Sequence, residues 1–370
     1  MGVGESASDT GVPMTISARS VLPVALAVAA ASASPLSGQV PAVEKVIQIG
    51  CSECDGPAQL TTLYDVAVTD SGEMVIADRS APMIRVFDRT GKVVWTGGRS
   101  GGGPGEYRFP MRVALGPDRS VSVVDMRARR MTRLARDGTV KTTDPILAFP
   151  AAASARGRSG ELMVLTDDFR GPFALERWAP GAAKAVPHTT IARPVSAAGG
   201  GFVQPSIAVS PTGIIAIGTD PFTYRITRLG ADAKPMPDIA RDIPRARRTD
   251  AEMQELANRL ALGPQLRSAE QGASKAPAAP SSPPSIDISM KPFFPLDGLR
   301  YDDLGRLWVL TTRGAEQQAV FDIFAPTGAF VGSVTIPAHV GTFSLAGAYL
   351  ATGGDDADGI PRVTLWRVTG

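Results

Sequence analysis

Residues 64–98 read YDVAVTDSGEMVIADRSAPMIRVFDRTGKVVWTGG. DVAV, EMVIAD, MIRVFD and KVVWTG are short runs rich in Val, Ile and aromatic residues, too brief for helices and suited to half-buried strands. Between them stand Thr69-Asp70-Ser71-Gly72, the polar RSAP loop and Asp88-Arg89-Thr90-Gly91. Asp side chains bond their own backbone and Gly accepts positive φ, so these are tight turns. The stretch predicts a four-stranded antiparallel meander.

The same order returns at once in residues 111–144, MRVALGPDRSVSVVDMRARRMTRLARDGTVKTTD, with Gly116-Pro117-Asp118 and Asp137-Gly138 as turns. Weaker copies follow, and the innermost strands are expected to start near Leu63, Pro110, Ala151, Gln204, Asp297 and Thr342. Apart from one long gap the copies recur every ~40–55 residues, the period of propeller blades. The last copy has three strands, while VEKVIQIG at 43–50 is a strand without a meander. If that strand completes the last blade, the ring closes and no sheet edge is left open between first and last blade. The expected fold class is therefore all-β: a six-bladed β-propeller closed by its N-terminal strand, with a short helical and low-complexity insertion between blades 4 and 5.

The segment GRSGGGPGEYRFP at 98–110 joins the outer strand of one blade to the inner strand of the next. Its glycines permit a tight path, Tyr107 and Phe109 can wedge between blades, and Pro110 opens a strand where its missing N–H costs no ladder bond. A phosphate-cradling loop would need a helix after it, and MRVAL is a strand. These residues resemble the NHL-type six-bladed β-propellers: Gly103 to Tyr107 with Pro110, the Ser71-Gly72 turn, Asp78 and Asp125 ending second strands, and Arg85 with Phe87 and Arg133 with Leu134 in third strands. The match is specific in blades 1 and 2 and looser later. It implies a fold; propellers of this kind host ligand binding, scaffolding and several unrelated enzymes.

Around the repeats, residues 1–33 read as a secretory signal, with translation expected to start at Met14. Val21 to Ala31 is uninterrupted apolar, Arg19 precedes it and small residues follow. That core is too short to span a bilayer, so the mature chain is expected to be periplasmic or secreted with no integral membrane segment. Residues 34–42 are expected to be a linker and 43–370 one domain, with its insertion at 241–290. There, Thr249-Asp250-Ala251-Glu252 is a capping box followed by apolar residues at helical spacing, and the Ala/Pro/Ser-rich tract after it has no apolar period. Cys51 and Cys54 are the only cysteines and are expected to form a local disulfide. With 38 Lys+Arg against 36 Asp+Glu, nothing suggests a nucleic-acid footprint.

Chemistry is harder to find. Enzymes with this fold use a calcium-like ion held by Glu, Asn and Asp, or catalytic histidines; this chain has one Asn, Asn258, and two His, His188 and His339. Carboxylates such as Asp65, Asp297, Asp355 and Asp356 could hold calcium with backbone carbonyls, but an Asp at a strand end usually accepts from its own backbone. No G-x-S-x-G elbow occurs. The expectation is an exported monomer that binds a small molecule or a protein, with no catalysis, metal or cofactor of its own. An atypical lyase or hydrolase and a cell-envelope scaffold are the alternatives. Candidate ligand-binding residues at the channel mouth are Asp65, Arg112, Gln204 and Asp297, on the face where the outer-to-inner loops converge. Replacing Arg112 and Asp297 by Ala is expected to abolish ligand binding while leaving the melting temperature nearly unchanged.

Overall fold

The computed structural model describes residues 1, 39–155, 159–168, 171–179, 182–192, 205–218, 220, 222–254, 256–258, 287, 289–295, 297–315 and 317–370. Residues 38–370 form one unit, and six four-stranded antiparallel sheets make its blades. Blade 1 holds β2 (Leu63–Val68), β3 (Met74–Asp78), β4 (Ile84–Phe87) and β5 (Val93–Gly97). The crossing to blade 2 contains β6 (Arg99–Ser100) and β7 (Glu106–Tyr107), which pair in parallel. Blade 2 is β8 (Pro110–Leu115), β9 (Val121–Asp125), β10 (Arg130–Leu134) and β11 (Val140–Pro145). Blade 3 is β12 (Phe149–Ala155), β13 (Leu162–Asp167), β14 (Phe173–Trp178) and β15 (Val186–Ile191). Blade 4 is β16 (Ser206–Val209), β17 (Ile215–Gly218), β18 (Arg225–Leu229) and β19 (Pro235–Ala240). Blade 5 is β20 (Leu299–Tyr301), β21 (Leu307–Thr311), β22 (Ala319–Phe324) and β23 (Phe330–Ile336). Blade 6 is β24 (Thr342–Ala346), β25 (Tyr349–Asp355) and β26 (Pro361–Thr369), completed by β1 (Ala42–Ile49) on its outside.

The N-terminal strand therefore closes the ring, antiparallel to β26 from Ala42 opposite Thr369 to Ile49 opposite Val363. Each blade interface holds its own apolar cluster. Val66, Met74 and Phe87 of blade 1 meet Tyr349 and Leu365 of blade 6, and Phe321 of blade 5 meets Phe343 of blade 6 with ring centroids 5.0 Å apart. Both faces of a blade's sheet are covered by neighbours, which is why β3 and β21 are buried at every position. Trp178, Trp308 and Trp366 lie in these clusters.

The crossing loop is clamped rather than free. The Glu106 carboxylate accepts from Arg99 Nε at 2.8 Å and from Gly103 N–H at 2.8 Å, and Arg130 donates to the Gly102 carbonyl at 2.7 Å and the Gly103 carbonyl at 2.9 Å. Tyr107 is buried in the cluster between blades 1 and 2, and Phe109 packs on Tyr64 at 4.5 Å. Gly98 has φ of +80°, and a Cβ there would fall 2.6 Å from the Tyr107 ring. The Asp residues that end β3 and β9 cap the amides of the incoming segment: Asp78 accepts from the Thr61 and Thr62 N–H groups, Asp125 from those of Arg108 and Phe109.

The insertion leaves blade 4 after Ala240. Its two ends pair where Arg247 bridges Met290 and Lys291 N–H donates to the Ala246 carbonyl at 2.7 Å. A short helix at 250–258 follows, with a reciprocal capping box: Thr249 N–H to Glu252 Oε2 at 2.8 Å and Glu252 N–H to Thr249 Oγ1 at 3.3 Å. Residues 2–38, which hold nearly all of the expected signal at 1–33, and residues 259–286, which hold the Ala/Pro/Ser-rich tract, lie outside the described residues. Among the described residues no helix is long and apolar enough to cross a membrane.

Candidate functional site

The innermost strands turn their backbone edges to the central channel, and the amides there need partners. Neighbouring blades supply them: Val113 N–H donates to Asp65 Oδ2 at 2.9 Å, Val68 N–H to Ser344 Oγ at 3.3 Å, and Gly298 N–H to Ser206 Oγ at 3.3 Å. In β2 and β8 the register with the second strand slips by one residue, between Leu63 and Asp65 and between Pro110 and Arg112. A bulge re-aims the side chain that follows it, here Asp65 and Arg112. Asp297 reaches the same place from a left-handed backbone conformation, φ +59°, which Asp tolerates better than most residues.

Three of the four candidate residues therefore meet. Arg112 Nη1 lies 2.7 Å from Asp65 Oδ1 and Nη2 lies 2.6 Å from Asp297 Oδ2, with the Arg112 side chain only 4% exposed. Asp65 Oδ1 also accepts from Thr342 Oγ1 at 2.7 Å, so this carboxylate ties blades 1, 2 and 6 together. Burial lowers the Arg112 pKa, but Asp297 and Asp65 more than offset it and hold the guanidinium above its ordinary value. Gln204 lies outside the described residues. The burial bears on one expectation from the sequence: removing Arg112 would leave the buried Asp65 carboxylate without its cation, beside the partly exposed Asp297, so a cost in stability is expected. Cys51 and Cys54 are joined in a four-residue loop, Cα atoms 5.6 Å apart, away from this cluster in sequence.

Beyond the ion pairs lies a cavity of about 350 Å³ lined by residues of five inner strands. Its lining runs from Arg112 and Arg300, near the starts of their strands, past Val66, Val113, Ser154 and Ser344, to Thr69, Asp70, Gly116, Pro117, Arg119 and Asp303 in the turns at the other ends. The recess thus extends toward the face of the short turns, opposite the loop face that the sequence favours. Arg300 was not legible as a site residue; its only signal is a charge inside the inner strand of blade 5. Nη1 donates to the carbonyls of Leu299 at 2.7 Å and Asp297 at 3.1 Å, while Nη2 is shut off from solvent and meets no acceptor. Burial, reinforced by Arg112, pushes its pKa down to about 10.

A second buried cluster sits between blades 4 and 5. The Asp322 carboxylate, with no exposed surface, accepts from Tyr224 Oη, Arg241 Nη1 and Ser333 Oγ, each at 2.6 Å, and from Arg313. Arg241 stacks over Phe330 at 3.9 Å. The network fastens the start of the insertion to blade 5. Asp356 serves its own turn, accepting from the Asp358 and Ile360 N–H groups and from Arg362. Among the described residues no three His, Cys, Asp or Glu side chains converge as a metal site.

No sequence-family model matches the chain, and no characterised protein matches it in sequence. Solved structures share the architecture. A member of the DUF4221 family from Bacteroides vulgatus superposes with a TM-score of 0.52 at 8% identity, over 89% of this chain and 99% of that one. A protein of Bacteroides fragilis inferred to be exported gives 0.51 at 13% identity, over 89% and 96%. This chain is a six-bladed β-propeller. A gluconolactonase from Xanthomonas campestris, at 12% identity over 84% of this propeller and 87% of the other chain, has a TM-score of 0.49. At these identities the likeness concerns the fold alone.

Proposed function

We propose that this chain is an exported propeller of the NHL type that binds a small molecule in its central channel and performs no catalysis of its own. The observation that carries the reading is the cavity of about 350 Å³ within the ring of inner strands. Its volume falls within the ~300–1,000 Å³ usual for small-molecule sites, and its walls combine apolar residues with converging polar and charged groups. The strands that line it are held by blade cores on both sides, so the site is preorganised.

The donor set argues against the metal-dependent alternative. Asp65 and Asp297, the channel carboxylates a calcium ion would need, are already bridged by Arg112, which supplies a fixed cation between them. Export is supported by the apolar run Val21 to Ala31 with small residues after it, and by the Bacteroides fragilis propeller inferred to be exported. The NHL assignment is supported by the loop Gly103 to Tyr107 with Pro110 and by the Asp78 and Asp125 caps.

The test is native mass spectrometry of the protein recovered from the medium or periplasm, beside the variant Leu345→Trp, which enlarges a side chain of the cavity lining. A small molecule retained by the wild-type protein and lost from the folded variant is the expected result. Equal retention by both would place binding elsewhere, and turnover of the retained compound would make the protein an enzyme.

A further inference from the structure

We infer that the channel takes a small organic acid, its single carboxylate against Arg300 and its apolar body along Leu115 and Leu345. The inference rests on the reading of the channel as a binding site and adds the chemical class of the ligand.

The argument starts from unequal treatment of two guanidinium groups in one cavity. Arg112 has two carboxylates, at 2.7 and 2.6 Å. Arg300 has none within ion-pair distance among the described residues; its bonds go to two backbone carbonyls, and Nη2 has no acceptor. A partly buried charge with a cation–π contact to Phe343 at 5.4 Å but no carboxylate partner is costly, and the lowered pKa of Arg300, set by burial and then by Arg112, reports that cost. An incoming anion supplies the missing counter-charge. A small rotation of the guanidinium away from the Leu299 and Asp297 carbonyls presents both terminal nitrogens to it, and a carboxylate is the planar, two-oxygen group that matches that fork.

The rest of the cavity narrows the class. Leu115 and Leu345 are the partly exposed aliphatic side chains of the lining, so the body beyond the head group is hydrocarbon-like. At the opposite mouth stand the carboxylates Asp70 and Asp303, while Arg119 is paired with Glu73 at 3.4 Å. A second negative charge reaching that mouth would lie beside those carboxylates, where Arg119 is already engaged by Glu73. A monoanion is therefore favoured over a phosphate dianion.

The experiment measures binding of benzoate, benzamide and phenyl phosphate to the full mature chain by calorimetry, with Arg300→Met, Arg300→Lys and Leu345→Trp alongside. Benzoate is expected to bind at least tenfold more tightly than its neutral isostere benzamide and than phenyl phosphate. Loss of a charge-assisted fork predicts that Arg300→Met weakens benzoate by about ten- to a hundred-fold, with Arg300→Lys intermediate and benzamide unchanged. Benzamide matching benzoate on the unaltered protein, or phenyl phosphate exceeding it, overturns the inference whether or not the Arg300 variants fold. If that happens while Leu345→Trp still abolishes binding, the channel remains the site and only the charge selection is wrong. If neither benzoate nor benzamide binds at millimolar concentration, the inference fails. Binding indifferent to Leu345→Trp removes the channel reading with it.

Discussion

Arg112 occupies the point where three blades converge, and its energetics follow from having two partners rather than one. Truncating one member of a buried ion pair leaves the others charged and dry, a cost of about 3–5 kcal/mol. Arg112→Ala is therefore expected to lower stability by about that much, and Asp65→Ala likewise, because it also frees the Thr342 hydroxyl and the Val113 amide. The double variant should cost far less than the sum, giving a coupling energy near 3 kcal/mol in a urea-denaturation cycle. Simple additivity would show that the pair is not formed in solution. Asp78 poses a pH question. Burial raises its pKa, but hydrogen bonds from Ser80 and Thr61 and the charge of Arg85 outweigh that and hold it below the ordinary carboxylate value. A carboxyl with a depressed folded-state pKa contributes stability above its unfolded pKa of ~3.9 and loses it as pH falls through the folded value. Asp78→Asn should accordingly be less stable at neutral pH and show a shallower loss of stability below pH ~4 in acid-titrated melts.

At the scale of the element, the blade meanders were readable because Asp and Gly turns punctuate apolar runs at a regular interval. Each inner strand begins within a few residues of its expected start, even in blades 3 and 4, where the copies are weak. The closing strand was readable for a related reason: a strand without a meander and a blade one strand short imply each other. What the pattern could not show is the channel. Its walls are strand edges, and no residue periodicity distinguishes an edge that faces a cavity from one that faces a side chain. The Asp322 cluster was equally hidden, since Arg241 and Asp322 stand 81 residues apart in the chain. The crossing loop allows a direct test. Gly98→Ala forces a Cβ into positive φ, costing about 1–2 kcal/mol by conformation alone, and onto the Tyr107 ring. A melting temperature equal to wild type would mean that the loop is not seated as described.

For the whole molecule, each apolar cluster belongs to two blades, so none can dissolve without exposing its neighbours. Unfolding should be a single transition. Fluorine-labelled tryptophan NMR should show Trp178 of blade 3 and Trp308 of blade 5 losing their native signals at the same urea concentration; separate midpoints would mean that the blades act as independent units. Deleting residues 39–49 removes β1, uncovers β26 and opens the ring, and is expected to abolish the cooperative melt seen by near-ultraviolet circular dichroism.

The pairing of β1 with β26 also orders events in time. Ala42 faces Thr369, so the first strand to be synthesised must wait for the last. While the chain is still growing, or still threading through a pore from its N-terminus, its earliest strand has no mate and its final blade does not exist. Completion of the ring is a step available only once the entire polypeptide stands on one side of whatever barrier it crosses. A fold latched in this way resists maturing too early, which would suit the export proposed for this chain.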